Sequence, residues 1–121
     1  MPLRTCSMGV RTLFELESLK NLVSLHLYEN NISGKIPNEF GEFQYLSDLS
    51  LYRNDLTGPL PQSLGSLSDI STIDISKNGV TGMLPPYMCK KGKLVFFLVQ
   101  QNFFTGEMPK SYGGFSSLNL F

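Results

Sequence analysis

The sequence predicts an α/β solenoid, in which similar coils stack to give a parallel β-sheet on a concave face and short helical turns on a convex face. Two observations support this prediction. Asn30, Asn54, Asn78 and Asn102 are spaced 24 residues apart, and the apolar residues follow the same spacing. A fixed period of roughly 20–50 residues is the signature of a repeat architecture, so the whole chain is predicted to be one repeat array.

Each period contains one strand and one helical turn. Leu25 and Leu27 alternate with polar neighbours, which is typical of a strand with one buried face. Segments 38–43 and 62–67 follow prolines and have apolar residues at helical spacing, which indicates helical turns. Because fixing a backbone costs about 1–2 kcal/mol per residue, an isolated coil should not fold, and stability must come from stacking.

The asparagine column predicts an internal structural ladder. A side-chain amide both donates and accepts hydrogen bonds, so an asparagine at the turn after each strand can satisfy buried backbone groups of its own coil and its neighbour. Gly34 and Pro37, which also recur every 24 residues, are expected to shape the next bend. The residues with this structural role are Asn30, Asn54, Asn78 and Asn102.

The repeated unit resembles the plant-specific leucine-rich repeat. Its pattern, LxxLxLxxNxLxGxIPxxL, begins at Leu22 and recurs through most of the chain. We therefore divide the chain into complete repeats at 22–45, 46–69, 70–93 and 94–117. Residues 1–21 are interpreted as a degenerate partial repeat in the same register, with Leu3 and Cys6 on repeat positions, and residues 118–121 as the start of a truncated repeat.

A narrower resemblance concerns segments 22–30, 40–43 and 87–90, which are similar to the ectodomain of HAIKU-type plant receptor-like serine/threonine kinases. This resemblance implies a fragment of a membrane receptor that acts in signalling at the extracellular face of the plasma membrane. It also implies a secreted peptide or protein as ligand and a co-receptor kinase as a candidate partner.

The charge balance and hydropathy of the chain add no other partner. Ten basic and ten acidic side chains cancel, so no nucleic-acid partner is predicted. No stretch approaches the roughly 18 apolar residues of a membrane span, and the N-terminal residues lack the apolar core of a signal peptide. The sequence therefore leaves the location of the fragment itself undetermined.

No catalytic or metal site is predicted. His26 is the only histidine, and a metal site or catalytic triad would need partners at defined spacing. HRD, DFG and a Gly-rich phosphate loop are absent, so we expect no enzyme activity from these residues, although the implied parent is a kinase. No cofactor is predicted. Cys6 and Cys89 lie more than three coils apart, which exceeds the reach of a disulfide bond.

The predicted ligand-binding surface consists of outward strand residues, which form columns on the concave face of a solenoid. Tyr52 and Arg53 are the preferred anchors. Phe96 and Leu98 place apolar side chains where the other coils are polar, which indicates a contact surface. The predicted ligand-binding residues are His26, Tyr28, Glu29, Ser50, Tyr52, Arg53, Asp74, Ser76, Lys77, Phe96, Leu98 and Gln100.

One modification site and three functions follow from these patterns. Asn31 begins an Asn-Ile-Ser acceptor pattern and is a candidate glycosylation site in a secreted protein. The favoured function is recognition of an extracellular peptide or co-receptor by a fragment of a receptor-kinase ectodomain. The alternatives are a kinase-free leucine-rich-repeat binding protein, such as a pectinase inhibitor, and a truncated gene copy without independent function.

Overall fold

Two parallel β-sheets run along the stacked coils. The computed structural model describes residues 2–4, 13–16, 18–112 and 119–120. Strands β1–β10 and 3₁₀ helices η1–η3 follow in chain order as β1 (Pro2–Arg4), η1 (Leu13–Leu16), β2 (Ser24–His26), β3 (Ser33–Gly34), η2 (Asn38–Glu42), β4 (Asp48–Ser50), β5 (Asp55–Pro59), β6 (Thr72–Asp74), β7 (Gly79–Gly82), β8 (Phe96–Leu98), β9 (Phe103–Phe104), η3 (Lys110–Tyr112) and β10 (Asn119–Leu120).

The larger sheet is the predicted concave sheet, and its strand order is β1-β2-β4-β6-β8-β10 with parallel neighbours. Between β2 and β8 each residue pairs with the one 24 positions later, as Leu25 does with Leu49. The middle residue of each strand therefore joins one inward column. Its members between β2 and β8 are fully buried, and they are Leu25, Leu49, Ile73 and Phe97.

The two ends of this sheet depart from the 24-residue register. Leu3 pairs with Leu25, so the prediction that the first repeat keeps the common register, with Leu3 opposite Leu27, is wrong. At the other end Leu120 pairs with Phe97, whereas the 24-residue spacing predicts Phe121 as the partner of Phe97. Connecting segments tolerate such deletions because only the strand must align with the core. The assignment of Cys6 to the asparagine column lies outside the described residues.

A second parallel sheet, with the order β3-β5-β7-β9, runs beside the first and was not predicted. Its strands follow each asparagine turn, where Gly and Pro suggest only a bend. Ile32, next to β3, and Leu56 in β5 point into the core and are fully buried. Stacking brings successive bends within hydrogen-bonding distance, so each coil pairs with its neighbours at two places instead of one.

The convex side carries short turns packed on aromatic residues. Residues 38–42 form the 3₁₀ helix η2. Phe40 within it and Phe43 directly after it are buried, and their ring centroids lie 4.8 Å apart. Segment 62–67 forms hydrogen-bonded turns instead of a helix, with the Leu64 N–H donating to the Pro61 carbonyl at 3.1 Å. Sequence spacing alone does not distinguish these two tight conformations.

Burial of the apolar columns decreases toward the last complete coil. Ile36 and Leu60 are 3% and 2% exposed, whereas Met108, which continues their 24-residue spacing, is 54% exposed. Met108 therefore lies at the surface and not in the core.

The burial of Tyr112 predicts a loss of stability at high pH. Its hydroxyl donates to the Pro85 carbonyl oxygen, and burial, with a smaller effect of Cys89, raises the pKa of Tyr112 above its ordinary value near 10. The unfolded chain releases this proton first, so the free energy of unfolding falls as pH rises above about 10. Tyr112→Phe should cost about 1 kcal/mol at neutral pH and flatten that decline. Urea midpoints of both proteins across this range check it, and an equal decline in both would contradict it.

Candidate functional site

The concave face is held in place by asparagine side chains behind it. Asn54 is buried, and its Oδ1 accepts hydrogen bonds from the backbone N–H groups of Asn30 and Ile32, each at 3.0 Å. Its Nδ2 donates to the carbonyl oxygens of Leu27 at 2.8 Å and Leu51 at 3.1 Å. One side chain thus joins the turns of two successive coils and satisfies buried backbone groups in both.

The same bonding continues along the column. Asn78 Oδ1 accepts from the Leu56 N–H at 3.1 Å, and Asn78 Nδ2 donates to the Leu51 carbonyl at 2.9 Å. Asn102 Oδ1 accepts from the Val80 N–H at 2.9 Å, and its Nδ2 donates to the Ile75 carbonyl at 2.8 Å. These bonds fix the spacing of the outward side chains on neighbouring coils.

The residue before each asparagine of the column, including Asn30, has a left-handed backbone. Non-glycine residues rarely adopt this conformation, and it costs about 1–3 kcal/mol unless the surroundings hold it. The turn aims the asparagine inward and leaves the preceding side chain at the rim of the concave face. The four residues have φ between 57° and 59°, and they are Glu29, Arg53, Lys77 and Gln101.

The carboxylates of Asp48 and Asp74 are organised by polar neighbours on the concave face. His26 Nε2 lies 2.6 Å from Asp48 Oδ2, and the Ser24 hydroxyl donates to the same oxygen at 3.5 Å. Asp74 Oδ1 accepts from the Ser76 hydroxyl at 2.6 Å and from the Ser76 N–H at 3.0 Å. His26 and Asp74, both predicted, therefore lie in two hydrogen-bonded groups, one that joins β2 to β4 and one at β6.

Two details differ from the predicted set of ligand-binding residues. Ser76 is only 2% exposed, so its place among the contact residues is wrong, because its hydroxyl is turned to Asp74. Asp48 was left out of that set although it forms the closest side-chain contact of His26. The signal was available in the sequence, since Asp48 stands one strand over from His26 on the same outward face.

The rim carries the other charged groups of this surface. Arg53 Nη1 lies 4.0 Å from Glu29 Oε2, and both side chains are more than half exposed, at 63% and 54%. Lys77 Nζ lies over the Tyr52 ring at 5.6 Å from its centroid. Water screens an exposed pair of this kind, so it contributes at most about 1 kcal/mol, and the rim charges are available for other contacts.

An apolar patch lies on the same face at β8. Phe96 is 44% exposed, Leu98 is half-buried, and Phe97 between them points inward and is fully buried. The alternation of the strand therefore directs both predicted residues to the concave side. The remaining predicted residues at the outward positions are partly or fully exposed, and they are Tyr28, Ser50 and Gln100.

Asn31 lies outside the concave sheet, between β2 and β3. Its side chain is exposed, as is Ser33 two residues later, while Ile32 between them is fully buried. The two polar members of the predicted acceptor pattern are thus both at the surface.

Within the described ranges, no three His, Cys, Asp or Glu side chains converge in an arrangement that could hold a metal ion. None of the helices in the same ranges has the length and apolar character needed to cross a bilayer. Cys89 is a free, buried thiol, and burial raises its pKa.

Comparison with known proteins supports this architecture. The family model described as Leucine Rich Repeat matches residues 21–43 and 45–67. Together with the stacked parallel strands, this match decides the fold. The chain folds as a leucine-rich-repeat solenoid. No curated protein matches the sequence significantly.

Solved structures similar to this leucine-rich-repeat solenoid include plant receptor-kinase ectodomains. The Arabidopsis receptor kinase HAESA, in complex with the peptide hormone IDA and the co-receptor SERK1, is 38% identical over 84% of this chain and 17% of that chain, with a TM-score of 0.80. The Arabidopsis receptor kinase GASSHO1/SCHENGEN3, in complex with CASPARIAN STRIP INTEGRITY FACTOR 2, is 36% identical over 88% and 13%, with a TM-score of 0.79.

The plant peptide hormone receptor RGFR1 in complex with RGF2 is similar over the whole length of this chain. It is 28% identical, with a TM-score of 0.86, and the match covers 20% of the receptor chain. This leucine-rich-repeat chain therefore spans a fifth or less of these three ectodomains.

Proposed function

We propose that this chain is a ligand-recognition segment of a plant receptor-kinase ectodomain, which binds an extended extracellular peptide across its concave sheet. The observation that carries the proposal is the row of outward side chains held at strand spacing by the asparagine ladder. Similarity to ectodomains solved with peptide hormones supports it. The role is binding, and no chemical step is assigned to these residues.

The dimensions of the sheet suit a short extended peptide. The five gaps between the six strands of the larger sheet span about 24 Å at about 4.8 Å each. An extended peptide of roughly seven residues covers that distance. Because the sheet is already ordered, the receptor loses little conformational entropy on binding, which favours affinity. The proposed contact residues are His26, Tyr28, Glu29, Ser50, Tyr52, Arg53, Asp74, Lys77, Phe96, Leu98 and Gln100, with Asp48 added.

The narrower parts of the proposal concern the parent protein. We place the chain in the extracellular part of a HAIKU-type receptor-like serine/threonine kinase, at the plasma membrane, with a co-receptor kinase as a second partner. Carbohydrate on Asn31 fits that location, since both polar residues of its acceptor pattern are exposed. Flanking gene sequence that encodes an apolar span followed by kinase motifs supports this assignment, whereas a stop codon soon after a cysteine-rich cap favours a kinase-free binding protein.

Replacing Tyr52 and Arg53 together by alanine is expected to weaken peptide binding by at least about tenfold. Aromatic and arginine side chains dominate binding energies, and each truncation of such a residue commonly costs more than about 1 kcal/mol. The probe is a peptide selected from a displayed library of random linear peptides against the complete chain, and the measurement is calorimetry.

The matched control replaces Tyr87 and Lys90 by alanine. This pair has the same aromatic and cationic character, with Lys90 Nζ at 5.9 Å from the Tyr87 centroid, but it lies in the turn before β8, outside the concave sheet. Binding should be unchanged in the control. Equal affinity in wild type and in the Tyr52/Arg53 variant would remove these residues from the site.

A further inference from the structure

We propose that the peptide bound by the concave face contains three successive residues of defined chemistry, a cationic, an anionic and an apolar side chain, in an extended conformation. This inference rests on the proposed function and specifies the ligand. It follows from the distribution of charge and apolar surface over two rows on the concave face. The strand row consists of the outward residues of the strands, and the rim row consists of the left-handed residues that follow them.

The strand row favours a cation. Asp48 and Asp74 lie there on the neighbouring strands β4 and β6. In the described part of the chain, the hydrogen bonds of each carboxylate use one oxygen, Oδ2 of Asp48 and Oδ1 of Asp74. The second oxygen of each remains able to accept from a ligand ammonium or guanidinium group, since a carboxylate accepts several hydrogen bonds.

The rim row favours an anion. Arg53 and Lys77 occupy equivalent rim positions on neighbouring coils, so their backbones are about one strand spacing apart, roughly 5 Å. The contact of Arg53 with Glu29 is long and exposed, at 4.0 Å, and a ligand carboxylate can replace it. Lys77 is held over the Tyr52 ring, so one anionic group can reach both cations.

An extended peptide that crosses the strands matches this arrangement. Successive side chains of such a peptide point to opposite sides, so a cation directed to the strand row is followed by a residue directed to the rim row. Only two residues lie between Asp74 and Lys77, so three residue steps, at most about 10 Å along the chain, separate them. The side chains on the two sides of one extended peptide reach across this width.

The side chain of the third peptide residue points to the strand row again. It lies about 7 Å beyond the cation, because two residues of extended chain cover that distance. From a point between β4 and β6, one and a half strand spacings of about 4.8 Å lead to β8, where Phe96 is exposed and Leu98 is half-buried. The geometry therefore points to an apolar side chain at this place, and the motif can run in either chain direction.

Selection from a displayed library of random linear peptides, of roughly seven residues, tests the motif. The complete chain should enrich cation-anion-apolar triplets, read in one direction or the other. In the variant Arg53→Glu with Lys77→Glu, the preference for an anion at the middle position should be lost, and the peptide selected on the wild type should bind at least about tenfold more weakly.

The control Lys90→Glu with Lys91→Glu makes the same change in charge at two exposed lysines in the turn before β8, and it should keep both the motif and the affinity. If the reversal disturbs folding, judged by circular dichroism, Arg53→Gln with Lys77→Gln removes the charges without adding repulsion. Phe96→Ala should reduce the preference for an apolar third residue and leave the other two positions unchanged.

The outcomes separate the two proposals. Enriched peptides that depend on Tyr52 and Arg53 but show no ordered triplet would overturn the motif and leave peptide recognition by the concave face in place. An equal loss of affinity in the Lys90/Lys91 control would also overturn the motif, since the effect would then come from net charge. Absence of any enrichment over empty support would overturn both the motif and the proposed function.

Discussion

Asn54→Ala is expected to lower the free energy of unfolding by about 4 kcal/mol, since each buried polar group left without a partner costs about 1–3 kcal/mol. The alanine leaves the N–H groups of Asn30 and Ile32 without their acceptor and the carbonyl of Leu27 without its donor. The Leu51 carbonyl keeps its hydrogen bond from Asn78. Small domains have a total stability of about 5–15 kcal/mol, so this loss is a large fraction of the total.

Urea unfolding followed by circular dichroism measures this effect. The matched control is Asn38→Ala, which makes the same change at an exposed position in η2 and should alter stability by no more than about 0.5 kcal/mol. Similar unfolding midpoints for the two variants would show that the amide of Asn54 does not hold the coils together.

Gly65→Ala is expected to cost about 3 kcal/mol through two separate effects. Gly65 has φ of 85°, where a side chain adds about 1–2 kcal/mol of strain. A Cβ at this position would also lie 2.8 Å from the Met88 Cα and 3.1 Å from the Tyr87 carbonyl oxygen. Both contacts are backbone atoms of the next coil, so relief requires the coils to separate, and such overpacking costs about 1–3 kcal/mol.

Gly34→Ala separates the two effects. Gly34 has nearly the same φ, 86°, but an added Cβ would meet no atom within 4 Å. This variant should therefore lose only the strain, about 1 kcal/mol. Thermal and urea unfolding of both variants check the difference, and equal destabilisation would rule out the steric contact between coils at Gly65.

The sequence is sufficient to predict the solenoid and the inward columns because both depend on side-chain pattern. Leu25 and Leu49 pair and are fully buried, as alternation within a 24-residue period requires. The outward positions follow from the same alternation, which is why Tyr52 and Phe96 could be placed on the concave face. The exception is Ser76, whose burial depends on a local hydrogen bond to Asp74 that no spacing reveals.

The second sheet and the rim could not be predicted, since they depend on backbone geometry. The strand Asp55–Pro59 contains Gly and Pro, which normally interrupt strands, and it pairs only because stacking brings equivalent bends together. The left-handed conformations of Arg53 and Lys77 could not be predicted, because neither position has the glycine that usually marks this conformation. The shortened registers at β1 and β10 depend on loop length, which the core does not constrain.

The left-handed rim also separates the residues needed for folding from those free to change. Arg53 is exposed and strained, while the adjacent Asn54 is buried and bonded to two coils. Glycine or asparagine tolerates this backbone better than a long side chain does, so replacement of Arg53 by either residue should be neutral or mildly stabilising. A combinatorial library at Glu29, Arg53, Lys77 and Gln101 that omits β-branched residues would therefore vary the side chains at the rim while keeping the buried asparagines that join the coils.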